Sequence, residues 1–284
     1  MITLGDWEKG GTFSTLCGKR VFCRDGGAPE APVLVLIHGF PTASWDFEAL
    51  WAPLIARYRV VTLDMMGFGF SDKPGDGYSI GAQADLFEAR LAELGVTGYH
   101  VLAHDYGDTV AQELLARKNP ALKSVCFLNG GLFPETHRPL LVQKLLLSPL
   151  GAFVAQLTGP GRFDGNMRRI FGAATQPSRE LLDGYWSLLT RANGLRAMSK
   201  IIHYMPERVA RRERWVGALV NATVPLKLID GADDPVSGRH MAARYRELVP
   251  AADVTLLEGI GHYPQVEAPE AVLEAYLEFR NART

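Results

Sequence analysis

Ala103-His104-Asp105-Tyr106-Gly107 sets a carboxylate between an apolar run at residues 99–103 and a helical pattern at 108–117. A sharp strand-to-helix turn of this kind lifts its central side chain clear of the backbone at a helix N-terminus. Free N–H groups and the helix dipole there favour negative charge, which suits an attacking carboxylate. Standing alone, the pentapeptide serves equally well as an aspartate N-cap. Its company separates the two readings. Gly261-His262 follows the run Val254–Leu257, and an acid follows the preceding run in Ile229-Asp230-Gly231-Ala232-Asp233-Asp234-Pro235. A nucleophile, an orienting acid and a histidine base therefore fall in that order, each just beyond an apolar run.

A carboxylate is a poor reagent against an amide. It can displace a leaving group at saturated carbon, leaving an ester that histidine-activated water cleaves. That second step needs an oxyanion site. His38-Gly39-Phe40-Pro41 offers the Phe40 amide, to converge with that of Tyr106, and a cis Pro41 would help to aim it. His38 is expected to bond loop backbone and His104 to face the core side of the turn. The remaining histidines, His100, His137, His203 and His240, have no paired ligand spacing, so no catalytic metal is expected.

The elements that must position these residues alternate. Apolar or β-rich runs stand at 12–16, 20–24, 33–37, 59–63, 99–103, 124–128, 226–229 and 254–257. Helical spacing occupies 43–57, 80–94, 108–117, 238–248 and 269–280. The alternation lapses once, at residues 133–214, where helical patterns are broken by Pro, Gly and Asn. The expectation is an α/β chain with a mostly parallel eight-stranded sheet. Residues 1–132 and 215–284 form its core and 133–214 an inserted helical cap over the strand ends. The order nucleophile, acid, histidine is that of the α/β-hydrolase fold.

With 284 residues, 47% hydrophobic content and a net charge of −1, the chain can bury a large core but has no field of one sign for nucleic acid or an anionic surface. Cys17, Cys23 and Cys126 form no CxxC pair, and no export signal is read at the N-terminus, so a cytoplasmic location is expected. Residues 140–157 are apolar but interrupted by Lys144, Ser148-Pro149 and Gly151. They read as a buried lid helix and not as a membrane insertion. Arg208, Arg211, Arg212 and Arg214, with Glu207 and Glu213 interleaved, read as a solvated face.

The segments HGFPTASWDF (38–47), LDMMGFGFSDKP (63–74), HDYGDTVAQELL (104–115), NGGLFPETHRPLLVQKLL (129–146) and RRERWVGAL (211–219) cover both core and cap. They resemble the epoxide hydrolase and haloalkane dehalogenase branch of the α/β-hydrolase superfamily, and more closely the mesoderm-specific transcript proteins and their bacterial relatives. Ala103 departs from the glycine usual in the elbow. The resemblance implies a cofactor-free hydrolase of a small apolar substrate. Its G-x-x-D-P pattern selects Asp234 over Asp233, and two cap tyrosines would donate to an epoxide oxygen. Tyr204 matches one by its place before the acid, and Tyr185 is the other tyrosine in the cap. Dehalogenases hold halide with a Trp after the nucleophile and an Asn or second Trp, where this chain has Tyr106 and Phe40. Epoxide hydrolysis to a vicinal diol is therefore expected first. A haloalkane dehalogenase-like reaction is the alternative, and a non-catalytic ligand receptor or scaffold the alternative of another class.

Overall fold

Val33–Ile37, five apolar residues without a break, is buried at every position, as a strand covered on both faces must be. In the computed structural model, which describes residues 2–282, this strand is β3. The others are β1 (Thr12–Leu16), β2 (Lys19–Gly26), β4 (Arg59–Leu63), β5 (Tyr99–His104), β6 (Leu122–Leu128), β7 (Leu226–Gly231) and β8 (Val254–Leu257). They form one sheet in the order β1-β2-β4-β3-β5-β6-β7-β8. The β1–β2 and β2–β4 pairings are antiparallel and the rest parallel. Val35 and Ile37 pack into the apolar layer on one face of the sheet, Leu34 and Leu36 into the layer on the other. All eight expected strands are present. β5 and β7 run past their expected ends to the residues that carry the polar turns.

Strand order reverses at β3, which pairs with β4 on one side and β5 on the other. That reversal opens a crevice at the carboxyl ends of the strands, and the segments following β3, β5, β7 and β8 converge there. Some helices differ from expectation. Residues 43–57 divide into a tight turn, Ser44–Phe47, whose Ser44 amide donates to Asp64 Oδ1 at 2.9 Å, and a helix, Glu48–Ile55. The helix after β5 begins at Tyr106, directly on the elbow.

Between β6 and β7 the described residues form seven α-helices: Leu141–Leu146, Gly151–Gln156, Pro160–Ile170, Arg179–Thr190, Gly194–Ile201, Tyr204–Ala210 and Arg212–Val220. Two expectations are corrected here. Residues 140–157 are no single buried lid helix. They break at Ser148-Pro149 into two short helices that leave Leu141, Leu145, Leu150, Phe153 and Leu157 exposed. The arginine cluster is not uniformly solvated either. Arg208 is 2% exposed and donates to the Gly131 carbonyl at 2.8 Å. Arg212 and Arg214 pair with Glu135 and Glu113 at 2.9 and 2.8 Å. Residue 214 lies within a helix that packs on Tyr106–Ala116 through this Glu113 contact and a bond from the Trp215 indole.

Candidate active site

Asp105 has φ 48° and ψ −107°, a left-handed backbone that a non-glycine residue holds only under constraint. The constraint is the approach of the following helix to β3. A Cβ on Gly107 would lie 2.4 Å from the Ile37 carbonyl oxygen, so only glycine lets the helix sit this close. The strain buys placement: the Asp105 carboxylate is 4% exposed at the head of the helix, and its Oδ2 accepts the Phe40 amide at 3.0 Å. The Phe40–Pro41 peptide is cis. Tyr106, whose amide is the first of the helix, has its side chain buried.

His262 Nε2 stands 3.8 Å from Asp105 Oδ1, and its Nδ1 is 2.7 Å from Asp234 Oδ2. Asp234 also accepts the Val236 and Ser237 amides, at 2.8 and 3.0 Å, and the Ser237 hydroxyl at 2.8 Å. The Asn129 side chain donates to it at 3.1 Å. Burial opposes its charge, but His262 and these donors outweigh burial and hold Asp234 at about 2. Burial likewise opposes the charge of His262. The Asp234 carboxylate, with Asp105 adding to it, overrides that and raises His262 to about 9. Asp233 is exposed, while Asp230 is buried with no partner for its carboxyl and is pushed upward by burial, so Asp234 is the acid that meets the imidazole.

His38 and His104 hold backbone. His38 Nδ1 is 2.9 Å from the Gly39 carbonyl and its Nε2 accepts the Met65 amide at 3.0 Å. His104 Nε2 meets the His262 carbonyl at 2.8 Å, and burial, then the neighbouring His262, keep its pKa well below the usual value. Among the described residues no group of three or more His, Cys, Asp or Glu could hold a metal ion.

The two cap tyrosines part company. Tyr204 packs its ring on those of Tyr106 and Phe40, with centroids 4.8 and 6.2 Å apart, beneath the Arg208 guanidinium. Its hydroxyl is buried without a partner; burial, then the charge of Asp105, push its pKa upward. Tyr185 instead meets Trp45 edge-on at 5.8 Å, and after burial the charge it feels most is that of Asp46. Neither ring lines the cavity above Asp105. That cavity holds about 80 Å3 of space open to the centre of a water molecule. Phe40, Asp105 and His262 form its floor, and Leu146, Phe163, Met167 and Ile170, with Gln143 and Asn166, its cap side.

Three positioning residues escape a reading of the sequence. Asn129 and Ser237 hold Asp234. Glu267 accepts the amides of Gly261, Tyr263 and Gly172 at 2.9, 3.0 and 2.7 Å, tying the His262 loop to the cap. The signal open to inspection was weak: an asparagine at a strand end and a serine three residues after an aspartate.

The model of the alpha/beta hydrolase family matches residues 34–275. The human mesoderm-specific transcript homolog protein is 41% identical over 300 residues, covering 98% of this chain and 88% of that protein. Two solved structures share the fold. A haloalkane dehalogenase DbeA-M1 loop variant from Bradyrhizobium elkanii has a TM-score of 0.80 at 21% identity, covering 96% of this chain and 97% of its own. The epoxide hydrolase CorEH has a TM-score of 0.76 at 18% identity, covering 96% and 99%. An eight-stranded sheet of this order, an elbow after β5 and a match running through most of its length make the chain a member of the α/β-hydrolase family.

Proposed function

We propose that this hydrolase attacks saturated carbon with Asp105, and that its preferred substrate is an apolar epoxide. The observation that carries the reading is the 3.8 Å between His262 Nε2 and Asp105 Oδ1. A hydroxyl nucleophile must hand a proton to its histidine and needs a hydrogen bond to it. A carboxylate carries no such proton, and this separation is too long for a hydrogen bond. His262 is then free to serve a water molecule instead.

In the first half-reaction an Asp105 oxygen forms a bond to an epoxide carbon, the carbon–oxygen bond of the ring breaks, and the alkoxide takes a proton. Tyr204 is the donor, its ring turning from its seat against Tyr106 and Phe40 into the cavity that it does not line at rest. Its upward-shifted hydroxyl keeps its proton until a stronger base appears beside it. In the second, His262 takes a proton from water and the hydroxide adds to the ester carbonyl of Asp105. The Phe40 and Tyr106 amides hold the oxyanion. Collapse expels the second oxygen, originally from Asp105, which takes the proton of the new carboxyl to complete the diol, and the proton on His262 returns to the Tyr204 phenolate. Ester formation also neutralises Asp105, one of the charges that raise His262, so alkylation itself turns the imidazole towards its basic form. The apolar cap side of the cavity favours an apolar substrate.

Halide displacement is the second reading, favoured by Asn166 and Gln143, which bring amide groups to the cavity where a leaving halide would need N–H donors. Single turnover in heavy-oxygen water, with aryl and alkyl epoxides and haloalkanes, decides between them. The first turnover should yield unlabelled diol and one heavy oxygen in the peptide holding Asp105. Label in the first diol with residue 105 unlabelled would sink the covalent route; halide release without diol formation from epoxides would select the second reading.

A further inference from the structure

Leu141, Leu145, Leu150, Phe153 and Leu157 are 44% to 72% exposed, and all lie within the two short helices Leu141–Leu146 and Gly151–Gln156 and the residues next to them. Scattered exposed leucines need no explanation, but five large apolar side chains in seventeen consecutive positions form a patch of the kind that marks an interaction surface. The opposite faces of the same segments roof the cavity, through Leu140, Leu146 and Ala155. The patch is therefore the outside of the lid.

Charge selects the occupant. From residue 138 to 170 the chain carries Arg138, Lys144, Arg162, Arg168 and Arg169, all exposed, against the single acid Asp164, which is itself paired with Arg179. The helix Pro160–Ile170 buries Phe163, Met167 and Ile170 and leaves Arg162, Arg168 and Arg169 exposed, none of them lining the cavity. In a chain of net charge −1 this is a local excess of positive charge in the stretch of chain that carries the apolar patch. A second copy would bring the same cations against themselves. No described helix is long and apolar enough to span a bilayer. We infer that the cap rests on an anionic lipid surface, its leucines and Phe153 set into the acyl boundary and its arginines and lysine among the headgroups.

Docking there would put the lid of the cavity against the phase in which an apolar substrate is dissolved. This delivery step rests on the proposed hydrolysis of such a substrate; the docking does not. The test reads binding alone. The full chain is sedimented with phosphatidylcholine vesicles, with and without phosphatidylglycerol. Wild type should partition onto the phosphatidylglycerol vesicles and come off as salt is raised. Leu150→Asp and Phe153→Asp, both outside the cavity, should each weaken partitioning about tenfold or more. Arg168→Glu with Arg169→Glu should remove the preference for the anionic vesicles. Circular dichroism and turnover of a water-soluble epoxide should stay at the wild-type level in all of these. No sedimentation with either vesicle, or sedimentation that these substitutions leave unchanged, would overturn the inference. So would a concentration-dependent dimer in velocity sedimentation that Phe153→Asp abolishes, since the patch would then belong to a second copy.

Discussion

Beneath the floor of the cavity, behind His262, Asp234 is fully enclosed and accepts five hydrogen bonds, from Asn129, Val236, His262 and twice from Ser237. In the cap, Tyr204 and Tyr185 are just as enclosed, and the Tyr204 hydroxyl has no partner. A buried polar group left unpaired costs about 1–3 kcal/mol, so the contrast is a difference in what each region is built to do. The floor is complete before a ligand arrives, with its charges fixed and its donors aimed. In the cap the Tyr204 hydroxyl has no partner and feels the charge of Asp105, while Tyr185 faces a different acid, Asp46.

Removing the floor's base should give the largest effect. His262→Gln keeps the bulk but no longer takes a proton from water, and should slow ester cleavage about a thousandfold. Alkylation of Asp105 should proceed, so the intact protein should gain the mass of one substrate and keep it. Multiple turnovers at the wild-type rate would break the division of labour between floor residues. The next effect tests the cap. Tyr204→Phe should lower the rate of epoxide opening about a hundredfold, while any haloalkane turnover, which needs no proton at the leaving group, stays near wild type. Equal losses on both substrates would make Tyr204 a wall of the pocket instead of a donor.

How the site was read from the chain follows the same division. Asp105 and His262 were legible because each sits in a turn immediately after an apolar run, and a strand-turn-helix is specified by neighbouring residues. Asp234 needed a family pattern to separate it from Asp233, and Tyr204 was reached through resemblance alone. The rest depended on contacts between distant parts of the chain. Asn129 meets Asp234 across 105 positions, and Arg208 reaches Gly131 across 77. An arginine among four arginines looks solvated until a carbonyl and a tyrosine ring enclose it. The apolar run at 140–157 misled for a related reason: hydrophobicity says that a face seeks cover and does not say whether the cover lies within the chain.

A smaller effect should follow from loosening the floor without removing it. Ser237→Ala deletes one hydrogen bond to the Asp234 carboxylate, a charged-group bond worth about 1.5–3 kcal/mol. The folded-state pKa of Asp234, about 2, lies below its unfolded value near 3.9, so its stabilisation is present above the unfolded value and is lost as pH falls through the folded one. The substitution raises the folded value, and acid unfolding followed by circular dichroism should move to higher pH. Turnover should fall about tenfold as His262 loses part of its orientation. An unchanged acid midpoint would mean that the remaining donors to Asp234 suffice.

The smallest effect belongs to Tyr185→Phe. Asp46, near this hydroxyl, is pushed up to about 8 by burial, against which its bond from the Thr42 hydroxyl at 2.5 Å works. The carboxyl is therefore largely protonated at neutral pH and places no firm demand on the phenol. Tyr185 contributes its ring, which seats the helix Arg179–Thr190 on Trp45 and at 6.0 Å from the ring of Tyr263, next to His262 in the chain. Phenylalanine keeps that ring and gives up only the phenol's contact with Asp46, so epoxide turnover should change less than about threefold and stability should fall by no more than about 1.5 kcal/mol. A loss as large as that expected for Tyr204→Phe would place the second phenol in the chemistry, and the cap would then hold two donors in reserve instead of one.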